Sequence, residues 1–150
     1  MAYLKALFGL VFDPPVINNK MMKAAKIFVI CILMATTALA FQQLFDEISS
    51  SIRSGNAREV ARYMNNNVDL TILNQQQVYS KAQAEVVIKD FFTKNPPKSF
   101  AIIHQGASKE GAKYAIGSMD SDNGAKFRVY VFLKPSGNSL LIHELRFEKE

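Results

Sequence analysis

The side chains of this sequence best suited to acid–base chemistry are its two histidines and several of its tyrosines. The histidines are His104 and His143, and the tyrosines beyond residue 40 are Tyr63, Tyr79, Tyr114 and Tyr130. A histidine titrates near neutral pH, so one that lines a pocket could exchange a proton with a substrate. His143 alternates with Leu141 and Leu145, which predicts that it points into the interior. Three interpretations stay open: an acid or base in a pocket, one ligand of a metal, and a neutral core histidine held by a hydrogen bond.

The run Asp120-Ser121-Asp122-Asn123-Gly124 is the one segment that suggests a calcium loop. An EF-hand loop needs an oxygen ligand at its fifth position and a glutamate at its twelfth, where this chain has Gly124 and Val131. An Asn-Gly pair between two strands is typical of a tight turn instead. The chain also lacks G-x-S-x-G and phosphate-loop motifs. We therefore expect no catalytic set, no metal and no cofactor.

Residues 20–40 have the pattern of a secretory signal peptide. Lys20, Lys23 and Lys26 supply its basic region, Ile27–Leu33 its apolar region, and Ala38-Leu39-Ala40 its cleavage pattern. An uncleaved anchor is the alternative, but the apolar stretch is short of the ~20 residues that span a bilayer. We predict cleavage after Ala40, which places the mature protein in the periplasm or at the cell envelope.

Residues 1–19 precede the leader and need a separate explanation. Translation from Met21 or Met22 would make them a start-site artefact, or they are disordered; the alternative is a genuine additional element containing the apolar run Tyr3–Phe12. Removal of residues 1–40 takes four of the 18 basic and one of the 13 acidic residues, which leaves 14 and 12. A mature net charge of only +2 argues against nucleic acid as a partner.

The residues from 41 onwards form a single α+β domain by their hydrophobic periodicity. The predicted order is helix, helix, strand, hairpin partner, helix and four further strands. Gly55 ends the first helix, Asn56 caps the second with Glu59 as its capping-box partner, and Ser80 caps the third with Gln83. The predicted elements are 41–52, 57–64, Val68–Leu73, Gln75–Tyr79, Lys81–Lys94, Ser99–Gln105, Lys113–Met119, Ala125–Lys134 and Ser139–Glu148. Asn65-Asn66-Asn67 is predicted to end the second helix as a turn, and Ser49–Ser51 are placed on the solvated side of the first.

The last two strands each carry an apolar row. One row is Phe127, Val129, Val131 and Leu133, and the other is Leu141, His143, Leu145 and Phe147. The two rows share a face of the sheet only if the connecting loop has an odd number of residues. The opposite, outer face then supplies the candidate interaction residues, which are Arg128, Tyr130, Phe132, Ile142 and Glu144.

Several short motifs resemble the opening and closing segments of one superfamily. They are the break Ser54-Gly55-Asn56, the strand Val68-Asp69-Leu70, the lead-in Val78-Tyr79-Ser80, the helix end Asp90-Phe91-Phe92 and the final strand Leu141–Glu148. They resemble the nuclear-transport-factor-2-like (NTF2-like, or cystatin-like) superfamily, and more narrowly an exported bacterial family, domain of unknown function 4783 (DUF4783).

The resemblance implies a cone-shaped fold, with about three N-terminal helices packed on a curved, mostly antiparallel sheet. It also implies a hydrophobic pocket, for which the candidate lining residues are His143, Tyr63, Tyr114, Phe91 and Val129, and a homodimer through the outer face of the sheet. Ketosteroid-isomerase-like members use a carboxylate base with a tyrosine or acid donor. No such set can be carried over to this chain.

Two classes of function therefore follow from the sequence. The preferred one is a non-catalytic module of the periplasm or envelope that binds an apolar small molecule or a protein partner. The alternative is an isomerase, dehydratase or hydrolase that uses a pocket-lining histidine and tyrosine, with His143 within hydrogen-bonding reach of Tyr63 or Tyr114.

Overall fold

The computed structural model describes residues 43–150. The predictions for the leader, for its cleavage after Ala40 and for residues 1–19 lie outside these described residues. Among residues 43–150, no helix is long and apolar enough to cross a membrane.

Three helices precede or interrupt a six-stranded sheet. The helices are α1 (43–53), α2 (Ala57–Arg62) and α3 (Lys81–Lys94). The strands are β1 (Met64–Ile72), β2 (Gln75–Ser80), β3 (Pro97–Ala107), β4 (Lys113–Ser121), β5 (Lys126–Ser136) and β6 (Ser139–Lys149). Their order across the sheet is β2-β1-β6-β5-β4-β3, and only the β1–β6 pair is parallel. The predicted α+β fold, helices on a curved and mostly antiparallel sheet, is confirmed.

The helix boundaries follow from local signals. Gly55 follows α1 with a φ of +64°, a conformation that glycine adopts without steric cost. The side chain of Ser80 accepts a hydrogen bond from the Gln83 amide, and the Gln83 side chain reaches back to the Ser80 amide, so the predicted capping box of α3 is confirmed. Asn56 caps α2 as predicted, but the Glu59 carboxylate forms an ion pair of 2.9 Å with Arg62.

The three asparagines after α2 do not form the predicted turn. They belong to β1, which begins at Met64 and pairs with β6 from its first residue. The Ile142 amide donates a hydrogen bond to the Tyr63 carbonyl at 2.7 Å, so the chain pairs with β6 directly after the helix. The turn preference of Asn is overridden by this pairing, and the β1–β6 register becomes irregular between Met64 and Asp69.

The first helix is buried more widely than its apolar stripe predicts. Phe45, Ile48 and Ile52 are buried as expected, but Ser49 and Ser51 are buried as well. The Ser51 hydroxyl donates to the Glu47 carbonyl at 2.9 Å, which satisfies it inside the helix. The prediction that these serines face solvent was therefore wrong for Ser49 and Ser51. Ser49 lies on the side of α1 near β3, where it lines one groove with Arg53 and residues 101–105.

The core lies between the helices and the inner face of the sheet. Its centre is an aromatic cluster in which the Phe91 ring lies 5.1 Å from Phe127 and 4.7 Å from Phe147, and Phe92 lies 5.7 Å from Phe147. Val129 and Leu145 complete the inner rows of β5 and β6. Within residues 43–150, the space between α3 and these strands is thus filled by side chains.

A bulge at His143 changes the face on which the start of β6 lies. The turn between β5 and β6 has two residues, Gly137 and Asn138, because Ser136 pairs with Ser139. Phe132 pairs with Glu144 but Leu133 pairs with Ile142, so His143 is the extra residue. With a turn of two residues, the two apolar rows would lie on opposite faces of the sheet. The extra residue of the bulge brings them onto the same face. Ile142 is consequently at 0% exposure in the core, and its assignment to the outer face was wrong.

Candidate functional site

The outer face of the sheet, opposite the helices, carries a cluster of aromatic and charged side chains that are half-buried or exposed. We call it the outer belt, and its residues are His104, Tyr114, Tyr130, Phe132, Glu144 and Arg146. They come from β3, β4, β5 and β6, which are neighbours in the sheet. Cross-strand pairing brings them together: Tyr114 is opposite Phe132, Phe132 is opposite Glu144, and Tyr130 is opposite Arg146. Directly opposed residues of an antiparallel pair share a face.

The aromatic rings of the outer belt form a stacked row. The Tyr114 and Tyr130 centroids are 6.3 Å apart with planes inclined by 29°, and Tyr130 and Phe132 are 6.3 Å apart at 10°. The Lys134 ammonium lies 5.5 Å from the Phe132 centroid. Since all three rings are only partly covered, the row presents apolar surface with polar tips.

One end of the row is held by a histidine and a glycine. His104 Nε2 and the Tyr114 hydroxyl are 3.1 Å apart, and the two ring centroids are separated by 5.7 Å. The Tyr114 ring lies directly over Gly106, where an added Cβ would come within 2.6 Å of Tyr114 Cε1. Gly106 therefore leaves the space that allows the tyrosine to lie flat across β3.

The middle ring of the row contacts charged side chains. The Arg146 guanidinium lies 5.1 Å from the Tyr130 centroid, a cation–π contact, and it forms an ion pair with Glu144. Burial raises the pKa of Tyr130, and the Glu144 carboxylate adds to this effect. The hydrogen bond that Arg146 donates to the Glu144 carboxylate raises the pKa of Arg146, and the net shift is upward despite burial. These side chains therefore hold one another in fixed positions at neutral pH.

The predicted pocket-lining residues do not meet at one site. Phe91 and Val129 are buried in the core, and Tyr114 belongs to the outer belt. The Tyr63 hydroxyl donates to Glu47 Oε2 at 3.0 Å. Burial raises the pKa of Tyr63, and this hydrogen bond raises it further. Nε2 of His143 is buried and has no hydrogen-bond partner among the described residues, so the histidine–tyrosine pair required by the enzymatic alternative is not formed there.

Four of the five residues predicted for the outer face of the sheet do lie on that face. Tyr130, Phe132 and Glu144 lie in the outer belt, and Arg128 lies beside it, exposed and 3.5 Å from the Glu150 carboxylate. Arg146 also lies on the face predicted for it, whereas His104 was not predicted to belong to this surface. Arg146 is predictable because it alternates with Glu144 in β6, but the position of His104 depends on the register between β3 and β4.

The surface of the described chain also carries grooves. One, of about 470 Å³, lies between the β1–β2 turn and the C-terminal half of α3, and it is lined by Tyr79, Val87 and the predicted pocket residue Phe91. The Asp120–Gly124 segment forms a hairpin turn in which the Asn123 side chain accepts from the Ala125 amide, and Asp120 pairs with Lys126 at 3.4 Å. That carboxylate is engaged with protein groups, which lower its pKa, the Ser99 hydroxyl first and then Lys126.

We expect the stability of the protein to fall as the pH drops below about 6.5, because of His143. Burial lowers the pKa of His143 from its ordinary value, and Lys134 lowers it further. Between the lowered pKa of the folded protein and about pH 6.5, the unfolded chain therefore binds more protons than the folded one. The free energy of unfolding is highest above about pH 6.5 and decreases as the pH falls below it. The measurement is urea unfolding of the wild type and of His143→Gln from about pH 7.5 to about pH 5. The difference between the two should depend on pH; a constant difference would contradict the prediction.

Comparisons with known proteins identify the family of this chain. A family model for DUF4783, a domain of unknown function, matches residues 45–148. A DUF4783 protein of Bacteroides ovatus is 33% identical with a TM-score of 0.66, over 69% of this chain and 93% of its own. One from Bacteroides uniformis is 28% identical with the same TM-score, over 70% and 95%.

More distant structures share only the fold. An NTF2-like protein of unknown function from Shewanella baltica is 12% identical with a TM-score of 0.60, over 77% of this chain and 95% of its own. No curated protein matches the sequence. The chain therefore belongs to the DUF4783 family and has the fold of the NTF2-like superfamily.

Proposed function

We propose that this protein is an exported, non-catalytic binding module of the periplasm or cell envelope, and that its partner is a protein docked on the outer belt. The observation that carries the proposal is the stacked row of Tyr114, Tyr130 and Phe132 with Arg146 over its middle ring. Tyrosine, phenylalanine and arginine are enriched where proteins contact one another. Rings held in place before binding lose little conformational freedom on docking.

The packing of the inner face favours a protein over an apolar small molecule. Of the residues expected to line a pocket, Val129 is fully buried in the core, and Phe91 is 3% exposed and contributes only part of the wall of the groove beside α3. The grooves on the described surface are wide and partly polar; the one beside α3 includes the Asp90–Lys94 ion pair of 2.7 Å at its rim. A small apolar ligand would gain little burial there.

The hydrogen-bond partners of the tyrosines favour binding over the catalytic arrangement predicted from the sequence. The enzymatic alternative needs a hydrogen bond between His143 and a tyrosine. Among the described residues, the Tyr63 hydroxyl is hydrogen-bonded to Glu47 and the Tyr114 hydroxyl to His104. Export is supported by the leader at residues 20–40. A second copy of the chain is one protein that could occupy the belt, as the superfamily resemblance implies, and an envelope protein is the other.

A photo-cross-linker at the edge of the belt tests this proposal. The chain is produced with its leader in a Gram-negative host, with a benzophenone amino acid at Arg128, which is exposed and adjacent to Tyr130. The purified protein is irradiated alone and then with a Bacteroides envelope extract. The matched control carries the same probe at Val86, a 67% exposed residue of α3. Mass spectrometry of the purified chain also determines whether it begins at Phe41.

We expect a discrete adduct from the Arg128 probe and none from the Val86 probe. An adduct of twice the mass identifies a second copy, and any other discrete mass identifies an envelope protein. Tyr130→Ala should remove the adduct while leaving the circular dichroism spectrum unchanged. Equal labelling from both probes, or an adduct that survives Tyr130→Ala, would contradict the proposal.

A further inference from the structure

The two edges of the sheet differ in how well they are protected against added strands. Within residues 43–150, β3 and β2 lie at opposite ends of the strand order. An unpaired edge presents backbone N–H and C=O groups that can pair with another chain, and proteins block such edges with charges, proline and bulges.

The β3 edge carries several of these devices. It begins with Pro97 and Lys98, and its register with β4 is irregular between Pro97 and Ser99 and again between Ile102 and His104. Arg53 of α1 also donates a hydrogen bond to the Phe100 carbonyl at 3.3 Å. This edge is therefore bent, charged and partly covered.

The β2 edge carries none of them. Its sequence, QQQVYS, has no charge, no proline and no glycine, and its register with β1 is regular from Gln75 to Ser80. Residues 75–78 are exposed, and Val78 is 64% exposed. A regularly paired, uncharged edge strand of six residues is a template for pairing.

The register shows which backbone groups of β2 point outward. The amide of Leu73, the residue directly after β1, donates a hydrogen bond to the Phe147 carbonyl of β6. The odd-numbered residues of β1 therefore form their backbone hydrogen bonds with β6, and the even-numbered residues form theirs with β2. Leu70 therefore forms backbone hydrogen bonds with Gln77, and Val68 forms them with Tyr79. The N–H and C=O groups of the intervening residues, Gln76 and Val78, consequently face away from the sheet.

We propose that β2 pairs with β2 of a second copy of this chain, antiparallel, about a two-fold axis that passes beside Gln77. In this arrangement Gln76 of one copy is opposite Val78 of the other, and the four outward groups of each copy are all satisfied. Gln77 meets its own counterpart in a non-hydrogen-bonded pair, in which Cα atoms are about 4.5 Å apart. The two sheets become one sheet of twelve strands.

The symmetry and charge of the strand select a second copy as the occupant. The outward residues flank Gln77 evenly, so one strand provides both halves of the pairing. Edge charges prevent edge-to-edge pairing, including pairing between copies of the same chain, and this protection is present at β3 and absent from β2. The outer belt lies on β3–β6, so this interface is separate from the proposed docking surface and can fail or hold independently of it.

Cysteine cross-linking tests both the interface and its register. The single cysteine, Cys31, is first replaced by serine in the full chain, and Gln77→Cys or Gln75→Cys is added. Val86→Cys on α3 is the matched exposed control. Each protein is oxidised at several concentrations, and dimers are counted on non-reducing gels. A disulfide needs Cα atoms about 4.4–6.8 Å apart, which the 77–77 pair satisfies and the 75–75 pair does not.

We expect a disulfide-linked dimer from Gln77→Cys, and monomer from Gln75→Cys and Val86→Cys. Adding Val78→Lys to Gln77→Cys should abolish the dimer, since it places a charge on the edge, while Val86→Lys should leave it. If Gln77→Cys stays monomeric, or if Gln75→Cys dimerises as well as Gln77→Cys, the proposal is overturned. A dimer that persists with Val78→Lys would overturn it too.

Discussion

Replacing Phe147 by alanine is expected to lower the free energy of unfolding by about 3–5 kcal/mol. Phe147 is fully buried, and its ring contacts Phe91 at 4.7 Å and Phe92 at 5.7 Å. The substitution removes the side chain through which β6 packs against α3, and leaves a cavity that the rigid sheet cannot close. Since domains of this size are stable by about 5–15 kcal/mol in total, the loss is a large part of the whole. Urea unfolding followed by circular dichroism measures it.

The matched control for this prediction is Phe132→Ala. Phe132 is the same residue type in the adjacent strand, but it lies on the outer face and is only half-buried. We expect a loss of about 1 kcal/mol, from its stacking with Tyr130 and its contact with Lys134. Comparable losses from the two variants would mean that the core does not lie on the side of the sheet that faces α3.

Replacing Gly117 by alanine is expected to lower the free energy of unfolding by about 1–3 kcal/mol. Gly117 lies in β4 on the inner face, under the buried ring of Phe100. An added Cβ would lie 2.4 Å from that ring and 2.9 Å from the backbone oxygen of Ala101. Because the ring is confined by the core and the carbonyl by the sheet, neither can move without disrupting other contacts. Thermal unfolding monitored by circular dichroism measures the effect.

Gly106→Ala is the matched control for Gly117→Ala. Its Cβ would also meet an aromatic ring, that of Tyr114, but this ring lies at the surface and can turn towards solvent. We expect a change in stability of about 0.5 kcal/mol or less. The contact between His104 and Tyr114 should be lost, and the histidine resonances should shift in an NMR spectrum. A larger destabilisation from Gly106→Ala than from Gly117→Ala would contradict the assignment of the two faces.

Much of the fold was predictable because its signals are local. The capping box at Ser80 and Gln83 and the end of α1 at Gly55 depend on residues within one or two turns of the chain, and the structure has both as predicted. The Asn65–Asn67 segment was mispredicted for the opposite reason. Its local preference is for a turn, but pairing of Met64 with Ile142, far along the chain, draws it into β1.

The candidate site was less predictable, because it depends on registers among four strands. A single bulged residue, His143, reverses the alternation of β6, so Ile142 enters the core while Leu145 remains there. Neither the residue types nor their spacing in the sequence reveal the bulge. His104 could not be assigned to the outer belt without the two irregularities that set where β3 pairs with β4.

The sequence by itself determined the order of helices and strands, the family resemblance and the pattern of a secretory leader. Each of these depends on periodicity, caps or composition within a short segment. Only the tertiary structure decided that Tyr114, Tyr130, Phe132 and Arg146 form one surface, and that β2 is the unprotected edge. The physical reason is that side-chain direction in a strand alternates with every residue, so one bulge formed by distant pairing changes which residues meet.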